Sequence, residues 1–200
     1  MAADQLARVL ARLDALNRDD PTTVPTPQGP QPSELRYAER LTAWVLRLAP
    51  DASEMLRIAA RGQHVRRWTI PRDHYPAGRA GYLKWRETLK RFHADTVADV
   101  MRAEGCADKE IARVRELITK QRLGADPETQ VLEDALCLIF LESQFGELRR
   151  KASEPVFREA VRKTWAKMSP AAQLLARTLP MAPEDRRYLD EVLRRGAAGL

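Results

Sequence analysis

The stretch VLEDALCLIFLE, residues 131–142, decides the fold class. From Val131 to Leu141 it is apolar on every side of a helix except at Glu133 and Asp134, and a helix that is apolar all round lies in a core. Its run Ala135–Leu141 is the longest uninterrupted apolar run in the chain. That is far short of the roughly 20 residues of a membrane span. Outward from this segment, nearly every stretch carries helical period and none alternates as a strand does.

Leu6, Val9, Leu10, Leu13 and Leu16 form one apolar stripe, so the chain opens with an amphipathic helix that Asp19-Asp20-Pro21 stops. Residues 21–32 hold prolines at 21, 25, 27, 30 and 32 and read as an extended surface connection. Helices are expected from Ser33 to about Ala49, over 52–68 with Asp51 and Glu54 as a capping pair, and from about Arg79 to Glu104. Asp108 should cap 109–122, and Asp126-Pro127-Glu128 should start a helix that runs to about Lys151. Shorter helices follow at 154–167, 170–178 and 184–195. The expectation is one all-α domain, a single compact multi-helix unit of eight or nine helices over 1–200. It divides into an N-terminal helix (1–20), a Pro-rich connection (21–32), a helical core (33–167) and peripheral C-terminal helices (168–200).

With 200 residues, 44% hydrophobic and 31% charged, the composition excludes wholesale disorder. The first twenty residues lack the apolar stretch of a signal peptide. Cys106 and Cys137 make no disulfide framework and no CxxC pair. A cytoplasmic setting with no membrane partner is expected. There is no P-loop, GxGxxG or GxSxG.

Charge is concentrated. The net charge is +6, yet residues 57–93 hold ten Lys or Arg against Asp73 and Glu87 alone. The same window contains all three histidines and five of the twelve aromatics. Arginine forks beside aromatic faces bind phosphates and stack on bases, so an anionic partner is expected: a nucleotide, a phosphate ester or RNA. Arg61, Arg67, Arg72, Lys90 and Trp68 are the candidate substrate-binding residues. The plainer alternative is a solvated basic face over core aromatics.

His64 lies in RIAARGQHVRRW (57–68), two residues after Gly62, and a glycine inside a helix lets another backbone or a ligand approach closely. His93 lies between Leu89 and Val97 on an apolar stripe. Asp134 shares a face with Val131, Leu138 and Leu141, so an arginine, a histidine or a metal is expected to neutralise it. His64, His93 and Asp134 are therefore candidate ligands for one divalent metal. Glu133, Asp134 and His64 are the candidate catalytic groups. A metal-free site, with a histidine as acid or base, serves equally. His74, in the Pro-bounded loop, reads as exposed, and the cysteines read as structural.

The segments AARGQHVRRWTIPRDHYP (59–76), GYLKWRETLKRFHADTVADVM (81–101) and QVLEDALCLIFLE (130–142) resemble the domain of unknown function 4202 family. So do ARLDALNRDDP (11–21) and SELRYAERLTAWVLRLAPDASE (33–54). The helix order also resembles, more remotely, a degenerate HD-domain, the all-α metal-dependent phosphohydrolase fold. That likeness places His64, His93 and Asp134 at metal positions. It departs where Tyr37 and Val65 stand in place of a histidine and an aspartate, with Glu39 or Glu133 as substitutes. Three functions are thus expected in competition. One is a metal-dependent phosphohydrolase-like enzyme acting on a nucleotide or other phosphorylated small molecule. Another is a non-catalytic nucleotide- or RNA-binding helical module using the 57–93 surface. A helical domain whose basic face meets an acidic protein is the third.

Overall fold

Helix α3 (Glu54–Gly62) carries Leu56, Ile58, Ala59 and Ala60, none of which has any exposed surface. It is the helix around which the first part of the chain assembles. The computed structural model describes residues 3–197; the ends of the expected 1–200 domain, residues 1–2 and 198–200, lie outside it. The chain forms two compact units, Met1–Thr129 and Gln130–Leu200. The described residues are mostly helical, with ten α-helices and one two-stranded sheet. The all-α class holds. The helix count exceeds the expected eight or nine because the segment 126–151 is not one helix but two, as described below.

In the first unit, α1 (Ala3–Arg18), α2 (Ser33–Leu48), α4 (Gly78–Ala103) and α5 (Asp108–Thr119) pack with α3, and α4 and α5 pack on each other. Val9, Leu13, Leu41, Val45, Val97, Met101, Leu117 and Ile118 meet in the core, all fully buried. The Pro-rich connection is not simply extended. Strands β1 (Thr23–Val24) and β2 (Gln31–Pro32) pair antiparallel around a turn at Gly29, which adopts φ +108°. Proline is tolerated on such an edge because its missing N–H faces outward. Asp20 is buried beside this hairpin. One carboxylate oxygen accepts from Thr22 N–H at 2.9 Å and the other accepts from Glu34 N–H at 2.9 Å, capping the start of α2 from outside the helix.

Two caps differ from expectation. Ser53, not Asp51, caps α3, its Oγ accepting from Leu56 N–H at 3.1 Å. Ala107 precedes α5, and its N–H donates to Glu110 Oε2 at 3.0 Å. The larger difference is that the helix expected over 52–68 stops at Gly62. A Cβ at Gly62 would lie 2.3 Å from Val97 Cγ2, so glycine here is the condition for the close approach of α3 to α4. The chain then turns through Gln63–Arg66 into a short 3-10 turn, Arg67–Thr69. The following loop is tied down. Arg72 donates to the carbonyls of Tyr75, Pro76 and Gly78, and Gly81 lies so close to Pro76 that a Cβ would meet its carbonyl oxygen at 1.9 Å.

Helix α6 (Pro127–Ile139) begins at the expected place, with Asp126 Oδ2 accepting from Thr129 N–H at 2.8 Å. A π-helical turn, Phe140–Gln144, separates it from α7 (Phe145–Lys151). The second unit continues with α8 (Glu154–Lys167), α9 (Pro170–Arg177) and α10 (Pro183–Ala197). Phe145, Phe157 and Tyr188 form its aromatic centre, with ring centroids 4.9 Å apart for Phe145–Phe157 and 5.4 Å for Phe157–Tyr188. Among the described residues no helix is long and apolar enough to cross a membrane.

The two close-packed glycines give a direct test. Alanine normally gains about 1 kcal/mol over glycine inside a helix. At Gly62 and Gly81 the added methyl has no room, so Gly62→Ala and Gly81→Ala should each lose about 1–3 kcal/mol in denaturant unfolding. Unchanged or raised stability would show that Gly62 does not meet Val97, or Gly81 the Pro76 carbonyl, that closely.

Candidate functional site

The site grows from the turn after α3. Asn17, fully buried at the end of α1, accepts from Arg66 N–H through Oδ1 at 3.1 Å and so holds Arg66 at φ +52°. From α4, His93 reaches the neighbouring residue: its Nδ1 lies 2.9 Å from the Val65 carbonyl oxygen. A carbonyl only accepts, so Nδ1 of His93 carries the proton. Burial pushes His93 down to about 3, with His64 as a further cause. The ring is therefore neutral and its Nε2 is a lone pair. That atom is buried without a hydrogen-bond partner among the described residues.

His64 projects from the turn onto α2. Its ring stacks on Tyr37, centroids 4.1 Å apart and planes 8° from parallel. Its centroid is 5.9 Å from that of His93. The His64 Nδ1 lies 3.4 Å from Glu34 Oε2. Glu34 and Tyr37 stand three residues apart and so share a face of α2. Arg67, in the 3-10 turn, has Nε 4.0 Å from Glu34 Oε1 and its guanidinium 4.6 Å above the Trp85 ring. Trp85 is itself fixed by donating from Nε1 to the Ile70 carbonyl at 2.9 Å.

These neighbours set an unusual charge state. Burial pushes Glu34 up to about 7; Arg67 opposes that rise and Asp20 adds to it. Burial pushes His64 far down, assisted by the positive charges of Arg67, Arg86 and Lys120. Near neutrality the site therefore holds a neutral imidazole 3.4 Å from a carboxyl that takes up and releases a proton easily. Such a carboxyl is suited to general acid–base work.

The residues expected from the sequence distribute as follows. His64, His93 and Arg67 come together. Trp68 is half-buried beside Arg67 in the chain. Arg61 Nε pairs with Asp14 Oδ1 at 3.1 Å, Lys90 with Glu87 on its own helix at 3.7 Å, and Arg72 is the loop clamp already described. His74 is exposed, and Cys106 and Cys137 are buried thiols. Glu34 and Tyr37 were not among the sequence candidates. Their signal was an acid and an aromatic three residues apart on the inward face of the second helix.

Asp134 corrects an expectation. The partners that satisfy it are neutral, not a cation: Oδ1 accepts from Ser169 N–H at 2.8 Å and from Gln130 Nε2 at 3.0 Å. Gln130 also donates to the Lys167 carbonyl at 2.8 Å. Asp134 thereby fastens the α8–α9 junction within the second unit. Glu133 meets Lys167 Nζ at 3.3 Å. Among the described residues no three or more His, Cys, Asp or Glu are grouped to hold a metal ion. The donor set does not fit the metal that the HD-domain likeness implies.

The Glu34 environment has a measurable consequence. In the unfolded chain a glutamate titrates at about 4.3; here it titrates at about 7. A raised carboxyl stabilises the fold fully below the lower value, and that stability is lost as pH rises through the upper one. The full interval corresponds to about 4 kcal/mol, of which about 3 kcal/mol falls between pH 4 and pH 7.5. His64 and His93 act in the opposite sense, losing stability as pH falls below about 6.5, so the carboxyl is read from the difference between wild type and Glu34→Gln, which keeps both imidazoles. That difference, read from urea unfolding, should move against the wild type by about 3 kcal/mol between pH 4 and pH 7.5. A difference independent of pH would show a solvated Glu34.

No match is found among the curated proteins or among the solved structures. Residues 7–188, from the stripe of α1 to α10 and including every residue of the site, match the family described as Domain of unknown function (DUF4202). The chain belongs to that family.

Proposed function

We propose that the chain is a phosphohydrolase-like enzyme acting on a nucleotide or other phosphorylated small molecule, with Glu34 and His64 as its acid–base pair. The observation that carries this reading is the approach of Glu34 to His64 at 3.4 Å, next to an arginine held face-down on Trp85. The remote likeness of the helix order to HD-domain phosphohydrolases is in keeping with it.

In this reading Arg67 presents its guanidinium edge to a phosphoryl oxygen, since its face is taken by Trp85. Glu34 accepts a proton from the attacking water and returns it to the departing oxygen, directly or through His64. Tyr37 keeps the imidazole plane fixed against α2. No step passes through a metal.

The second reading, a nucleotide- or RNA-binding module, rests on the outer part of the same basic segment. There Arg86 lies 5.9 Å over the Tyr82 ring, and Tyr82 is exposed. Bases stack on such rings.

Turnover decides between them. Wild type should release phosphate from at least one of a panel of nucleotides and sugar phosphates, in the presence and absence of added Mn²⁺ or chelator. Glu34→Gln should lower kcat by about 10²–10⁴-fold with KM little changed. Turnover equal in the variant, or none in the wild type, overturns the enzyme reading. Activity that chelator abolishes and Mn²⁺ restores would overturn the metal-free form of it.

A further inference from the structure

A row of side chains leads outward from the acid–base pair. Arg67 stands 4.0 Å from Glu34 and 4.6 Å above the Trp85 ring. The Trp85 ring lies 5.9 Å from the Tyr82 ring, tilted 49° to it. Arg86 lies 5.9 Å over the Tyr82 ring and donates from Nη1 to the Tyr82 hydroxyl at 3.2 Å. Tyr82 stands three residues before Trp85 and four before Arg86, so the three share one face of α4. The separations 4.6 and 5.9 Å, laid end to end, put the Tyr82 ring within about 11 Å of the Arg67 guanidinium.

Exposure rises along the row. Arg67 and Trp85 are half-buried, and Tyr82 is 43% exposed. From Gly78 to Lys84 every residue of α4 is exposed except Gly81, and the first acid of the helix is Glu87. An exposed tyrosine is ordinary by itself. This one is held at two points, its ring by Trp85 and its hydroxyl by Arg86. A flat ligand that stacks on a ring already fixed has less ordering to impose than one that stacks on a free ring.

We infer that Tyr82 is the base-stacking residue of the Glu34–His64 site, so that the substrate is a nucleotide and not a sugar phosphate. This rests on the reading of that pair as phosphoester-processing and chooses among the substrates it allows. With the phosphate on the open edge of the Arg67 guanidinium, one ribose spans the width of Trp85 and sets the base on the face of Tyr82 that Arg86 does not cover. A sugar phosphate ends short of that ring. The ring selects for the presence of a base more than for its identity, because every base has an aromatic face. Tyr82 touches no reacting atom in this arrangement; it determines specificity.

The probes are AMP, UMP and ribose 5-phosphate, titrated by calorimetry at pH 7.5 into the Glu34→Gln chain so that none is turned over during the measurement. AMP and UMP should bind at least 10-fold more tightly than ribose 5-phosphate. Adding Tyr82→Ala should bring AMP down to the affinity of ribose 5-phosphate and leave ribose 5-phosphate itself unchanged. Tyr82→Phe keeps the ring and should bind AMP within about 2-fold of its parent. Tyr82 is a surface residue, so both variants should melt within about 2 °C of that parent. Arg67→Gln should weaken all three probes alike.

Equal affinity for AMP and ribose 5-phosphate, AMP binding indifferent to Tyr82→Ala, or no binding of any probe overturns the inference. So does AMP binding indifferent to Arg67→Gln, since ring and arginine would then not hold one molecule. Poly(U) binding that Tyr82→Ala abolishes, in a protein that binds none of the three probes, overturns it in favour of an RNA surface. The outcomes separate from those of the proposed reaction. AMP binding that depends on Tyr82, in a wild type that turns over no phosphoester, leaves the stacking residue standing and the reaction overturned. Turnover that Tyr82→Ala leaves unchanged for nucleotides and sugar phosphates alike does the reverse.

Discussion

Two side chains hold the turn Gln63–Arg66, and the site depends on both. Asn17 takes the Arg66 N–H and His93 takes the Val65 carbonyl, each from a different helix. Between these anchors His64 has no freedom to follow α3 into another helical turn. It is carried instead against Tyr37 and Glu34. Gly62 makes the arrangement sterically accessible, because only a residue without a Cβ lets α3 end against Val97.

Burial does most of the electrostatic work. Taken from water, a carboxyl and an imidazole both shed charge, so their ordinary order of titration is inverted here: Glu34 rises and His64 falls. Arg67 pulls against the rise of Glu34, but Asp20 lies on the same side and the desolvation prevails. Asp20 thus has two consequences from one position. It caps the start of α2 and it helps keep the first acid of that helix protonated.

The acids of α6 serve a different end. Asp134 is buried because it is useful where the chain passes from α8 to α9. There the Ser169 N–H needs an acceptor, and Gln130 bridges to the Lys167 carbonyl. Buried polar groups must find partners, and neutral N–H donors suffice for a carboxylate when they are well aimed. A carboxylate in an apolar helix therefore signals a satisfied junction as readily as a catalytic site.

By itself the sequence determined the helices, because the 3.6-residue spacing of apolar side chains, the proline stops and the glycine ends are local properties. It also showed that basic residues, histidines and aromatics coincide over 57–93. Only the tertiary structure decided which of those residues meet. The end of α3 at Gly62 depends on Val97, thirty-five positions away, and the pairing of His64 with Glu34 depends on a turn that Asn17 and His93 hold from outside it. Glu34 was hidden for the same reason. An acid in the first turn of a helix is favourable in any solvated helix, and what makes this one unusual is the desolvation that other elements impose.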